Sequence, residues 1–160
     1  MARNDFESSV TIPFLDRITD RDPRNTQEAM PTRAQSVRIL KEALRRDLEW
    51  LLNTRRIKDE STDPKAELTS SLYNYGLPDA SHFSLRSSRD QNRLGWLLES
   101  TVALFEPRLK NAKVFMVPTE DGSMKVKFRV DGLLQMDPAP ERITFDTTLD
   151  LASQNYNVES

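Results

Sequence analysis

Apolar residues recur at Val37, Leu40, Leu44, Leu48 and Leu51, at spacings of three, four, four and three. That is one stripe of an amphipathic helix. Arg38, Lys41, Glu42, Arg45, Arg46 and Glu49 fill the remaining face. Pro31 is tolerated at a helix start but not inside one, and Asn53 suits a C-cap, so the pattern predicts a helix over about 32–53. A second stripe, Leu94, Leu97, Leu98, Val102 and Phe105, follows Ser88-Arg89-Asp90-Gln91, whose serine and glutamine match a capping box. Pro107 ends this helix near Phe105 or Glu106. Gly95 sits inside it at a cost of about 1 kcal/mol relative to alanine, as a close packing contact would require.

The period changes in the last third. Lys113-Val114-Phe115-Met116-Val117 is short and rich in strand formers, and a turn follows at 118–123. Met124, Val126, Phe128 and Val130 then alternate with Lys125, Lys127, Arg129 and Asp131. A bulge is expected at Asp131-Gly132, and a turn at Asp137-Pro138-Ala139-Pro140. Ile143, Phe145, Thr147, Leu149 and Leu151 alternate with Arg142, Thr144, Asp146, Thr148 and Asp150. Period two means strands with one apolar face, and short turns favour an antiparallel meander. The expected fold is α+β, with two main helices packed on one face of a three-stranded antiparallel sheet over 32–151. Residues 152–160 read as a C-terminal tail. Residues 1–31 are polar, with a small apolar cluster around Ile12, Phe14, Leu15 and Ile18; they read as a flexible N-terminal docking arm. Residues 54–87 read as a long connection, with one or two helical turns possible near 67–73 and turn signals at Asp63-Pro64 and Gly76-Leu77-Pro78-Asp79.

Composition narrows the chemistry. The 160 residues contain no cysteine and one histidine, His82, which excludes thiolate nucleophiles and a cysteine- or histidine-rich metal site within one chain. With 23 basic and 25 acidic residues the net charge is −2, and nothing calls for nucleic acid. No run approaches the ~18 apolar residues of a membrane helix, and the first residues lack the apolar stretch of a signal peptide, so a cytoplasmic location without membrane insertion is expected. Four glycines leave no phosphate-binding loop, and no cofactor is expected. Lys125, Lys127 and Arg129 read as a solvated sheet face, without interleaved aromatics. Glu99 and Glu106, seven apart on the second helix, are the one carboxylate pair available for hydrolysis, and a weak one in a chain rich in carboxylates.

Four segments together resemble the TssE family of type VI secretion. Phe14-Leu15-Asp16-Arg17-Ile18-Thr19-Asp20 is similar to the family's "LLDRLTD" opening. Arg46-Asp47-Leu48-Glu49-Trp50-Leu51-Leu52-Asn53-Thr54-Arg55-Arg56 is similar to its "RDLExLLNTRR" stretch. Ser71-Leu72-Tyr73-Asn74-Tyr75-Gly76-Leu77-Pro78-Asp79 resembles its "SLxNYGLPD" loop. Phe105-Glu106-Pro107-Arg108-Leu109 resembles the Glu-Pro-Arg signature shared with wedge proteins of contractile phage tails. The resemblance implies a small α+β subunit at the base of a contractile sheath. It implies contact with the wedge proteins TssF, TssG and TssK on one side and with the first sheath layer, TssB and TssC, on the other. Phage relatives often carry a lysozyme-like label, which makes a peptidoglycan-cleaving enzyme the alternative.

On this reading Glu106, Pro107, Arg108, Phe14, Leu15, Asp16, Arg17, Asn74 and Tyr75 are the wedge-contact candidates. Glu106 and Arg108 also have a second possible role, an internal tie that braces the corner. The sheath would join by strand addition at an edge of the meander, either Lys113–Val117 or Arg142–Leu151; the second is longer and has no internal proline, which favours it, along Ile143, Thr144, Phe145, Asp146, Thr147 and Thr148.

Overall fold

A computed structural model describes residues 10, 12–19, 32–56, 71–79, 83–84, 87–117, 125–137 and 139–159. His82, the 118–123 turn, the Asp63-Pro64 turn and most of the expected N-terminal arm lie outside these residues. Among these residues three α-helices are formed: α1 (Phe14–Ile18), α2 (Arg33–Asn53) and α3 (Ser88–Phe105). A 3-10 turn at Leu72–Asn74 stands at the end of the stretch expected to be helical. The strands are β1 (Leu109–Val117), β2 (Lys125–Leu134), β3 (Glu141–Asp150) and β4 (Asn155–Glu159). They form one antiparallel sheet in the order β1-β2-β3-β4.

The sheet therefore has four strands, not three. The segment expected to be a tail turns through Gln154, at φ 55°, and returns as β4. Only Tyr156 and Val158 carry its apolar alternation, too short a signal beside Asn155, Asn157 and Glu159. Both side chains are buried, and Tyr156 meets Phe128 edge-on at 5.9 Å. The helical stripes fall where their spacing predicts. Leu40, Leu44, Leu48 and Leu51 of α2 and Leu94, Leu98 and Val102 of α3 share one core with Phe128, Val130, Phe145 and Leu149 of the sheet. Val10, from the segment before α1, is buried in the same core. Inside it, the Thr147 hydroxyl is buried with no hydrogen-bond partner among the described residues.

Two local expectations shift. The capping box belongs to α2: Gln35 N–H donates to Thr32 Oγ1 at 3.3 Å, and Thr32 N–H donates to Gln35 Oε1 at 2.8 Å. In α3 the N-cap is Ser87, which makes no side-chain cap, and Asp90 reaches back to accept from the Ser84 N–H at 3.0 Å. The bulge lies in β1, where the register slips between Lys110 and Lys113 and Asn111 takes φ 54°. Gly132 is in regular register with Ile143; a Cβ there would stand 2.5 Å from Leu109 Cδ1, so close packing of β1 accounts for the glycine.

The two sides of the sheet are finished differently. Asn53, the last residue of α2, treats Tyr156 of β4 as a strand would: its Nδ2 donates to Tyr156 O and its Oδ1 accepts from Tyr156 N, both at 2.8 Å. Arg45 Nη1, two turns earlier, donates to Val158 O at 2.9 Å. Tyr156 and Val158 are the β4 residues whose main chain faces away from β3, and three of their four outward groups are thus held by α2. The expected docking edge is not an edge along 146–150, because Asp146, Thr147 and Thr148 pair with Glu159, Val158 and Asn157. Among the described residues β4 leaves only the 141–145 half of β3 without a strand beside it.

The two glycines with opposite surroundings give opposite expectations. At Gly76, φ is +106° and a Cβ would lie 2.3 Å from Thr54 O, so Gly76→Ala should cost about 2–3 kcal/mol. A Cβ at Gly95 meets nothing within 4 Å, so Gly95→Ala should be neutral or stabilise by up to about 1 kcal/mol. Urea unfolding of each variant reads both signs.

Burial pushes the Tyr156 hydroxyl pKa above its ordinary value, with Arg55 opposing. The unfolded chain therefore ionises first. The stability is fully present below about pH 10 and falls as pH rises beyond it. The urea midpoint should decline in that range, and Tyr156→Phe should flatten the decline.

Candidate functional site: a charged corner

Helix α3 ends at Phe105 and β1 begins at Leu109, so Glu106-Pro107-Arg108 is the whole corner between them. The Glu106 N–H still donates to Val102 O at 2.8 Å, and Leu109 N–H donates to Glu106 O at 3.1 Å. Proline between them fixes φ and removes a donor the turn does not use. The corner points the Glu106 carboxylate inward, where the residue is 6% exposed. An isolated carboxylate there would be costly. It is not isolated: Arg108 folds back on it, with Nε donating to Oε1 at 2.6 Å, Nη2 donating to Oε2, and the Arg108 main-chain N–H donating to Oε1 at 3.2 Å.

The chain of charges continues into α2. Arg108 Nη2 also donates to Asp47 Oδ2 at 2.7 Å. The other oxygen of Asp47 accepts from Arg46 Nε at 3.2 Å and Nη2 at 3.1 Å. Arg46 then forks onto α1, its Nη1 and Nη2 donating to Asp16 Oδ1 and Oδ2 at 2.8 and 3.1 Å. The Asp16 side chain is 3% exposed, although no residue of α1 is itself buried. Glu106, Arg108, Asp47, Arg46 and Asp16 thus form an unbroken alternating row. The Arg108 guanidinium is held well above its ordinary pKa, first by the hydrogen bond to Glu106, and that of Arg46 first by the one to Asp16; burial opposes both. Arg46 also lies over the ring of Trp50, 5.2 Å from its centroid.

The loop carrying Asn74 and Tyr75 closes the corner. Leu77 N–H donates to Thr54 O and Arg56 N–H to Leu77 O, both at 2.8 Å, a short parallel ladder that requires Gly76 against Thr54. Tyr75 then meets Phe105 edge-on at 5.3 Å. Its hydroxyl pKa is raised by burial first, then by Asp47 and Glu106, with Arg108 opposing. All four sequence segments that carry the resemblance converge here.

Of the residues singled out by sequence, Glu106, Arg108, Asp16 and Tyr75 are brought together. Phe14 and Leu15 project from α1 at 71% and 55% exposure, with Ile18 and Arg17 exposed beside them. Asn74 is half-buried in the loop and Pro107 is exposed at the corner. The six β3 residues are elsewhere. Ile143, Phe145 and Thr147 are buried in the core, Thr144 Oγ1 donates to Asp131 at 2.9 Å, Asp146 accepts from Arg129 at 3.0 Å, and Thr148 lies opposite Asn157. Glu99 does not face Glu106. Its Oε1 accepts the Val114 N–H at 2.9 Å, and its Oε2 lies 3.5 Å from Lys113 Nζ. Among the described residues no group of acidic or histidine side chains is placed to hold a metal ion. Sequence reasoning gave no role to Asp47, the member that joins both arginines. Its signal was present: an adjacent Arg46-Asp47 pair at the margin of an apolar stripe, inside one of the quoted segments.

The arrangement braces the corner and still presents a donor. Arg108 is 29% exposed at its side chain, and its Nη1 has no partner among the described residues. Arg108→Ala should therefore cost about 3 kcal/mol of stability, because it strands Glu106 and half of Asp47 without their cation. A urea-unfolding loss below about 1 kcal/mol, the range of a solvent-exposed pair, would show that the row does not brace the fold.

No helix among the described residues is long and apolar enough to cross a membrane. No curated protein and no solved structure gives a significant match to the chain. The family model described as baseplate wedge protein gp25 matches residues 38–139, which includes most of α2, the loop at Tyr75, the Glu-Pro-Arg corner, β1 and β2. More than half of the chain is covered, and the chain belongs to this family of baseplate wedge proteins, the family of TssE.

Proposed function

We propose that this chain is a non-catalytic adaptor of a type VI secretion baseplate, held in the cytoplasm as part of the wedge. The observation that carries the reading is the convergence of the family-like segments on one braced, partly exposed corner. The remaining Nη1 donors of Arg108, on a side chain that is 29% exposed, suit carboxylates or helix-end carbonyls of TssF and TssG. Phe14 and Leu15, fixed beside that corner by Asp16, add an apolar contact to the same partner surface or to TssK. The sheath proteins TssB and TssC join at the sheet by strand addition, as the resemblance implies.

The enzymatic alternative finds its two carboxylates already committed. Glu99 holds the main chain of β1, and Glu106 is bound by Arg108 through three hydrogen bonds. A glycosidase needs two carboxylates facing each other across a cleft, and these two are turned to different partners.

The test separates contact from bracing. Arg108→Lys keeps a cation near Glu106 but loses the planar fork. It should fold, and it should recover TssF and TssG about tenfold less efficiently on co-purification, as loss of one charge-assisted hydrogen bond implies. Full recovery of both proteins by the folded variant would place the wedge contact elsewhere.

A further inference from the structure

We infer that α1 is docked inside out, and that Phe14 and Ile18, with the neighbouring Trp50, form a docking surface for an amphipathic helix whose apolar stripe is bordered by acidic residues. The inference deepens the wedge-contact reading and rests on it. It assigns the partner's chemistry and the residues that hold the surface in place.

A helix laid on a protein ordinarily turns its apolar side to the core. In α1 the order is reversed. At about 100° per residue, Asp16 lies on the side of the helix opposite both Phe14 and Ile18. Asp16 has the covered side chain, while Phe14 and Ile18 are 71% and 62% exposed. The helix is held at two points, by the fork of Arg46 onto Asp16 and by Val10, buried in the core just before it. The same Arg46 guanidinium lies over the Trp50 ring, so Trp50, 56% exposed, stands beside α1. Single exposed apolar residues are ordinary, but a helix anchored by its polar side presents a patch. A surface fixed in this way needs little further ordering when a partner binds.

The partner's helical form follows from the main chain. The N–H groups of Arg17 and Thr19 donate to Pro13 O and Leu15 O at 3.1 and 3.0 Å, so α1 bonds to itself, and Trp50 lies within the long helix α2. The surface therefore offers side chains rather than a row of free donors and acceptors. An extended segment pressed against it would bury its own N–H and C=O groups unpaired, whereas a helix brings them already paired. Phe14 and Ile18, one turn apart, make a ridge that fits between the side chains of such a helix. The partner's charge follows from the way the row of ions faces. Asp16 and Glu106 are turned inward, and Asp47 has both oxygens taken by arginines. Arg46 and Arg108 reach the surface, and Arg17 is exposed on α1 itself. The apolar patch is thus rimmed by cations, and complementary rim charges steer and orient a partner.

The test uses the full chain co-expressed with TssF, TssG and TssK, carrying the photo-crosslinker p-benzoylphenylalanine in place of Ile18 or, in a second variant, of Trp50. Adducts should fall on partner residues three, four or seven apart in one segment, with acidic residues within a turn of them. Adducts at every second residue, in a segment without acids, or on a second copy of this chain overturn the inference. So does the absence of adducts from a chain that still joins the wedge, which leaves the adaptor reading intact. Recovery of the partners separates contact from positioning. Phe14→Ala should keep the parent's urea midpoint and recover the partners about tenfold less efficiently. Asp16→Asn alters no contacting side chain, yet should lower recovery by a similar factor and speed trypsin cleavage after Arg17, because α1 is released. Arg17→Glu should weaken recovery most at low salt. Full recovery by both Phe14→Ala and Asp16→Asn would overturn the docking surface. A wild-type chain that never joins the wedge refutes the underlying reading, and the inference with it.

Discussion

One carboxylate joins the parts of this molecule that the chain keeps far apart. Asp47 uses one oxygen for Arg108 and the other for Arg46, and each arginine grips a second acid beyond it. The corner after α3, the middle of α2 and the segment at α1 are separated by 61 and 30 residues along these bonds, yet they share one continuous set of charges. Such a row is stable only when each member keeps both neighbours. A buried acid stripped of its guanidinium has nothing in the protein interior to replace it. Chain segments with few apolar contacts of their own, α1 above all, are thereby fixed relative to the core.

Helix α2 makes this possible by serving three directions at once. Its Leu40–Leu44–Leu48–Leu51 stripe faces the core. Arg45 and Asn53, eight apart and so on one side, reach β4. Arg46, Asp47 and Trp50 look to the other side, towards α1 and the corner. A 21-residue helix at 3.6 residues per turn has enough turns to repeat each face, which a short helix would not.

Much of the architecture was legible because it follows from hydrophobic period. The α2 and α3 stripes and the alternation of β2 and β3 are long enough to exceed chance. β4 was not legible: five residues with two apolar positions carry little periodic signal, and its stability comes from Phe128 and from the Asn53 clasp, both distant in sequence. The same cause hid the strand that covers residues 146–150 of β3. The bulge was expected at the glycine and is found opposite it, since the glycine answers to the Leu109 side chain. At the corner, Glu106 and Arg108 could be named from their motif. Their joint dependence on Asp47 is a tertiary fact, and a lone Arg-Asp step in a helix does not reveal which way either side chain turns.

The clasp on β4 has a consequence for assembly. A sheet open on both sides is divalent: it can be a link in an unlimited row of like subunits, and such rows aggregate. Here Asn53 and Arg45 mimic the strand that would otherwise come next, so the sheet is terminated from within on that side. A terminated sheet has a polarity. Further copies of this chain cannot lengthen the sheet past Tyr156 and Val158, so self-association through that side is closed by the fold itself.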